Sequence, residues 1–130
     1  MNERPLANLN ASLRFRVSWI VLLVSGLATL VFGVVVAVLR TSDEQYLRAI
    51  GAASIGMGLF GVMITLTAFR RRERWAYLSL WYYPVFWTAH LVGNLPPGKD
   101  HVHQVAFIVL SLLGLLLPRG EFFPRRPVDT

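Results

Sequence analysis

The chain has 130 residues, of which 55% are hydrophobic and 15% are charged, and its formal net charge is +6. This length suits a single domain, and the absence of cysteine excludes disulfides, thiolate metal sites and thiol catalysis. A charge of this size is typical of nucleic-acid binding in a soluble protein. Here the basic residues instead flank long apolar stretches, so no nucleic-acid partner is predicted.

Four stretches without Lys, Arg, Asp or Glu have the composition of membrane-spanning helices. About 20 helical residues match a hydrocarbon core that is about 30 Å thick. The fourth stretch is slightly short, so it must lie nearly upright or borrow length from its flanks. The predicted spans, numbered 1 to 4 in chain order, cover about residues 17–39, 49–69, 75–95 and 101–117.

Ten of the 13 Lys and Arg residues lie before span 1, between spans 2 and 3, or after span 4. The positive-inside rule therefore predicts that both termini are cytoplasmic. The connections between spans are short, which makes consecutive spans antiparallel neighbours. The predicted fold is all-α: an integral membrane antiparallel four-helix bundle with up-down-up-down topology, multi-pass in the inner (plasma) membrane. Residues 1–12 and 118–130 are predicted as flexible cytoplasmic tails, the second of them extended.

Small and polar residues predict which faces of spans 1 and 2 point inward. Lipid is as apolar as leucine, so helices in a membrane associate through close packing of small residues and through interhelical hydrogen bonds. The pattern predicts a tight seam between the two spans, with a glycine-lined ligand groove as the alternative. The residues are Ser18, Ser25, Gly26, Thr29 and Gly33 in span 1, and Gly51, Ser54, Gly58, Gly61 and Thr65 in span 2.

Span 3 has one polar-aromatic face and one apolar face. Pro84 leaves the Leu80 carbonyl without its usual donor, which predicts a kink. In span 4, one arc of the helix carries Gln104, Phe107, Ser111 and Gly114. The polar interior of the bundle is therefore expected between spans 3 and 4, near the outer leaflet. The polar-aromatic face holds Ser79, Tyr83, Trp87, His90 and Asn94, and the apolar face holds Leu78, Trp81, Val85 and Val92.

The space beside the kinked span 3 is a candidate binding site for a small hydrophobic molecule, such as a lipid, a quinone or a sterol-like compound. Aromatic rings would form flat apolar walls, and polar side chains would orient a head group. The predicted walls are Tyr83, Trp87 and Phe107, and the predicted polar groups are His90, Asn94, His103 and Gln104.

Histidines and carboxylates near the outer ends of the spans leave further interpretations open. Imidazole and carboxylate are zinc ligands, and an ionisable group within a span is a functional candidate. On a helix, His101 and His103 point about 160° apart, so at most one of them can join His90. A metal site, axial haem ligation by His90 and His103, a proton-linked role, and a structural His90 bonded to Gln104 or a backbone carbonyl are the alternatives. The carboxylates concerned are Asp43, Glu44 and Asp100.

Spans 1 and 2 are rich in glycine, and arginines and a tryptophan lead into span 3 in the segment RRRERWAYLSLW. With its compact four-span layout, the chain resembles small bacterial membrane proteins of the DoxX-like type over about residues 14–118. The aromatic span 3 with its histidine is also similar to four-span sterol-isomerase-like bundles, whose paired acidic residues within the spans are missing here. Neither resemblance carries a catalytic residue onto this chain.

The sequence predicts a non-enzymatic protein that serves as an accessory or structural subunit of a larger membrane assembly. Its small size, the lack of a large soluble domain and the scarcity of ionisable groups within the spans leave little machinery for catalysis. The predicted partners are membrane lipids and either other membrane subunits or further copies of the chain, and no cofactor is predicted. The arginines between residues 70 and 74 form the strongest patch for anionic headgroups.

Overall fold

The structure is a computed structural model that describes residues 4–39, 45–93 and 101–124, and every regular element in those ranges is helical. The predicted all-α class is therefore confirmed. The turns Val35–Leu39 and Thr65–Phe69 are π-helical and continue the helices before them. The α-helices are α1 (Arg4–Val34), α2 (Gln45–Ile64), α3 (Arg74–Leu80), α4 (Tyr82–Gly93), α5 (Val102–Leu116) and α6 (Arg119–Phe122).

Two helical stretches, Ala7–Val38 and Arg48–Phe69, are long and apolar enough to cross a membrane, by length and composition. A shorter apolar helix, α5, has 15 residues. The segment predicted as span 3 is divided at Trp81 into α3 and α4. This interruption lies where Pro84 was expected to disturb the helix, because a proline has no N–H to offer the Leu80 carbonyl.

The helices α1 and α2 run antiparallel and lie close enough for backbone contact at glycines. A Cβ added to Gly33 would lie 2.6 Å from the backbone nitrogen of Ile55. A Cβ added to Gly58 would lie 2.6 Å from the backbone nitrogen of Leu30. No side chain fits at either distance, so the predicted tight seam is confirmed.

Small polar side chains are buried together with an aromatic and aliphatic core, while many other large apolar side chains are exposed on the surface. Val102 is 80% exposed and Val38 is 67% exposed. Ser18, on α1, donates a hydrogen bond to the Gly114 carbonyl of α5, which places these two helices side by side. The buried polar residues are Ser18, Ser25, Thr29, Ser54, Thr65, Gln104 and Ser111, as the inward faces of spans 1, 2 and 4 predicted.

On α3 and α4 the predicted faces are only partly right. The outward positions Leu78, Val85 and Val92 are all exposed, as expected. Ser79 is exposed, so its predicted inward position is wrong. It lies at the margin of the buried stripe, which runs through Ala76, Leu80, Tyr83 and Trp87. Trp81, predicted to point outward, is half-buried and packs edge-on against Tyr77.

The two segments predicted as tails both contain helix where the structure describes them. Residues 4–12 belong to α1. The extended conformation predicted for residues 118–130 is wrong for α6, whose Phe122 is only 2% exposed. Phe122 packs 4.9 Å from the Phe69 ring and 4.8 Å from the Tyr77 ring, between centroids. The burial of this ring against aromatic partners explains why the segment folds back.

Candidate functional site

Predicted site residues of α4 and α5 meet around the buried ring of Trp87, which is 1% exposed. Phe107 stacks on it with centroids 4.4 Å apart and planes inclined by 9°. His90 and His103 both approach it nearly at right angles, with centroids at 5.7 Å and 6.2 Å. The sequence therefore predicted four side chains that do lie together.

Two phenylalanines that the sequence analysis missed complete this cluster. Phe32 of α1 stacks on His103 at 5.2 Å and lies edge-on to Trp87 at 5.6 Å. Phe86 stacks on His90 at 6.1 Å. Both phenylalanines stand in uniformly apolar runs, where no sequence signal separates a ring-packing position from a lipid-facing one. The rings pack against one another, so they fill the space that was predicted to hold a ligand.

Tyr83 is fully buried, but it contacts the α1–α2 seam and does not form the predicted wall of a ligand site. Its hydroxyl group enters the α1–α2 seam beside Gly26 and Gly61, and a Cβ on Gly26 would lie only 2.9 Å from it. The Met57 carbonyl accepts hydrogen bonds from this hydroxyl at 3.4 Å and from the Tyr82 hydroxyl at 2.8 Å. Tyr83 therefore joins α4 to the α1–α2 pair and is not a wall of the ring cluster.

Gln104 is fully buried, and its Oε1 atom lies 3.4 Å from Nδ1 of His101. The amide that was expected to bond His90 therefore faces another histidine. Within the described ranges, neither the Gln104 Nε2 atom nor the Trp87 Nε1 atom has a hydrogen-bond acceptor. A buried donor without a partner costs about 1–3 kcal/mol, so these two groups are a local weakness of an otherwise well-packed region.

The remaining predicted groups do not assemble a metal centre in the described part of the chain. Asn94 and the carboxylates Asp43, Glu44 and Asp100 lie outside the described residues. In residues 4–39, 45–93 and 101–124 there is no group of three His, Cys, Asp or Glu residues that could hold a metal ion.

The arginines of the α2–α3 turn form a second cluster, which was predicted only as a lipid-binding patch. The Arg70 guanidinium lies 4.9 Å from the ring centroid of Trp19 on α1. Arg72 lies 4.7 Å from the ring centroid of Phe15 and pairs with Glu121 of α6 at 3.4 Å. These two arginines are thus engaged with neighbouring helices, and they connect the turn to both α1 and α6. Arg74 also contributes, because its Nε atom donates to the Phe122 carbonyl at 3.2 Å.

Arg72 has a left-handed backbone with φ of 60°. The N–H of Arg72 bonds the Phe69 carbonyl at 2.9 Å, and the N–H of Glu73 bonds the Ala68 carbonyl at 3.1 Å. This is the Schellman pattern, whose left-handed position glycine usually occupies. A side chain in this conformation costs about 1–2 kcal/mol, which the contacts of the guanidinium help to offset.

No protein-family model, curated protein or solved structure matches this chain. The resemblance to DoxX-like proteins therefore stays a prediction. Any functional conclusion has to come from the residues and their geometry.

Proposed function

We propose that the chain is a multi-pass protein of the inner (plasma) membrane, built as an antiparallel four-helix bundle with up-down-up-down topology. The large number of exposed apolar side chains, beside small polar side chains that are buried, is the observation that carries this proposal. Phe60, Val85 and Val102 are each more than 60% exposed, while Ser54 and Thr65 are fully buried. A soluble protein with so much exposed apolar surface would associate, whereas lipid accepts that surface and small polar residues join helices.

Helix lengths support this proposal. The stretches Ala7–Val38 and Arg48–Phe69 exceed the length that a bilayer requires. Helix α5, with 15 residues, spans only about 22 Å at 1.5 Å per residue. In a bilayer it would therefore lie nearly upright, with the membrane locally thinned around it.

The arginine distribution supports cytoplasmic N and C termini. We expect reporter fusions placed after Thr41 and after Gly98 to read as external, and a fusion within the arginine turn, after Arg71, to read as internal. An internal signal at Thr41 or Gly98 would contradict the proposed topology.

The proposed role is that of a non-enzymatic accessory or structural subunit of a larger membrane assembly. The histidines and aromatic rings around Trp87 pack against one another, which supports a structural role for this cluster. A shallow, open groove of about 520 Å³ along one apolar face of the first helical stretch offers a place for a helix of another subunit. It is lined by Val24, Leu27, Ala28, Val31, Phe32 and Val35.

A unique thiol tests this interface, because the chain has no cysteine. We expect Val31→Cys, in the groove, to cross-link in native membranes to one partner subunit or to a second copy of the chain. Val85→Cys is the matched control, since this valine is similarly exposed on α4 and lies outside the groove. Equal cross-linking at both positions would contradict the groove as the specific interface, and a clean monomer from both would contradict the accessory role.

The second candidate function is binding of a small hydrophobic molecule between α4 and α5. The buried donors of Trp87 and Gln104 favour it, because a polar atom of a ligand would satisfy them. Such a ligand has to separate Phe107 from Trp87. A retained small molecule in the mass spectrum of gently extracted protein is the expected result, and a spectrum of bare protein would argue against this candidate.

A further inference from the structure

A groove opens where α3, α5 and α6 meet, at the end of the molecule that carries the arginine turn. Its volume is about 580 Å³, within the range of small-molecule sites. Four of its five lining side chains are aromatic or aliphatic, and the fifth is a cation. The lining residues are Tyr77, Trp81, Leu116, Arg119 and Phe123.

The cation of this groove is not neutralised by the neighbouring acid. Arg119 is exposed, and among the residues that the structure describes it forms no ion pair. The nearest acidic residue in sequence, Glu121, is paired with Arg72. The Nε atom of Arg74 donates to the Phe122 carbonyl, and the Arg74 guanidinium lies 5.8 Å from the ring centroid of Phe123. In residues 4–39, 45–93 and 101–124 no carboxylate pairs with Arg119, so its positive charge lies beside the aromatic and aliphatic side chains of the groove.

We propose that this groove binds one anionic phospholipid of the cytoplasmic leaflet. The phosphate meets the Arg119 guanidinium, whose planar fork matches phosphate oxygens, and an acyl chain lies along Trp81 and Leu116. Leu116 is 52% exposed, so the apolar wall is open to a chain that enters from the bilayer. The proposal rests on the membrane residence proposed above.

The kind of ligand that this groove would bind follows from its combination of one positive charge, on Arg119, with aromatic and aliphatic side chains. A free phosphate ion would use the guanidinium and leave the four other lining side chains uncovered. An uncharged lipid would cover those side chains and leave Arg119 without a counter-ion. Only an anionic amphiphile satisfies both parts, and tyrosine and tryptophan are the residues expected at headgroup depth.

Quenching of Trp81 by brominated lipids tests the proposal in reconstituted bilayers with the full chain. Subtraction of the signal of Trp81→Phe isolates this tryptophan from the other three. We expect brominated phosphatidylglycerol to quench Trp81 at a mole fraction about fivefold lower than brominated phosphatidylcholine, as one arginine at the surface allows. Arg119→Gln should abolish the preference, and Arg119→Lys should retain most of it.

Arg71→Gln is the matched control, because Arg71 is an exposed arginine outside the groove. It should leave the preference unchanged, and an equal loss in Arg71→Gln and Arg119→Gln would overturn the site in favour of general surface charge. Displacement by soluble glycerol phosphate would overturn the lipid as occupant. Equal quenching by both lipids would overturn the anionic-lipid site but would leave the proposed membrane residence unaffected. Absence of quenching by either lipid would overturn membrane residence as well.

Discussion

Gly58→Ala is expected to lower the free energy of unfolding by about 2–3 kcal/mol, because the α1–α2 seam has no space for a methyl group. The added carbon would lie 2.6 Å from the backbone nitrogen of Leu30 and 2.8 Å from the carbonyl oxygen of Gly26. Both atoms belong to the backbone of α1, so no side-chain rotation relieves the overlap. The two helices have to separate, and the contacts along the whole seam weaken together.

Gly56→Ala is the matched control on the same helix. Apart from its chain neighbours and the backbone of its own helix, no atom of the described residues lies within 4 Å of the position that its Cβ would take. Replacing this glycine should raise helix stability by up to about 1 kcal/mol. Unfolding of both variants by SDS in mixed micelles, followed by circular dichroism, measures the difference. Equal stability of the two variants would show that α1 and α2 do not make the close contact described above.

Trp87→Ala is expected to cost about 3–5 kcal/mol, the range for removing a large buried ring. The indole stacks on Phe107 and touches the rings of Phe32 and His90, so its removal leaves a cavity among three helices. Trp87→Phe should cost much less, because it keeps an aromatic ring and removes a buried N–H that has no acceptor in the described structure.

Trp75→Ala provides the comparison for Trp87→Ala, since this tryptophan is 53% exposed. It should change stability by less than about 1 kcal/mol in the same SDS titration. If Trp87→Ala proved as mild as Trp75→Ala, the cluster between α4 and α5 would not be a packed core. The ligand-binding candidate would then gain support.

The parts of the fold that depend on local pattern were predictable from the sequence. Ser18, Ser54 and Thr65 were placed inside because their spacing follows the helical period and because small polar residues join helices in lipid. The break before Pro84 was predictable because a missing N–H acts within one turn of the helix. The meeting of Trp87 with Phe107 followed from the inward arcs of two adjacent spans.

The contacts between distant segments were not predictable in the same way. Phe32 lies in a run of valines and leucines, and only the approach of α5 makes it a partner of His103. Phe122 stands among prolines and charges that favour an extended chain, and its burial depends on Phe69 and Tyr77. Ser79 was wrongly predicted to be buried. Helical periodicity indicates which residues share a face of the helix, but it does not show which line along that face is the most buried.

The arginine turn between α2 and α3 combines two tasks that occur at different times. During insertion, its positive charges would hold the turn in the cytoplasm. After folding, Arg70 lies over the ring of Trp19, and Arg72 lies over the ring of Phe15 and pairs with Glu121. Lysine at these positions would preserve the orientation signal but lose the planar stacking of the guanidinium. Correct orientation and correct assembly of this end of the protein are therefore separable properties of the same side chains.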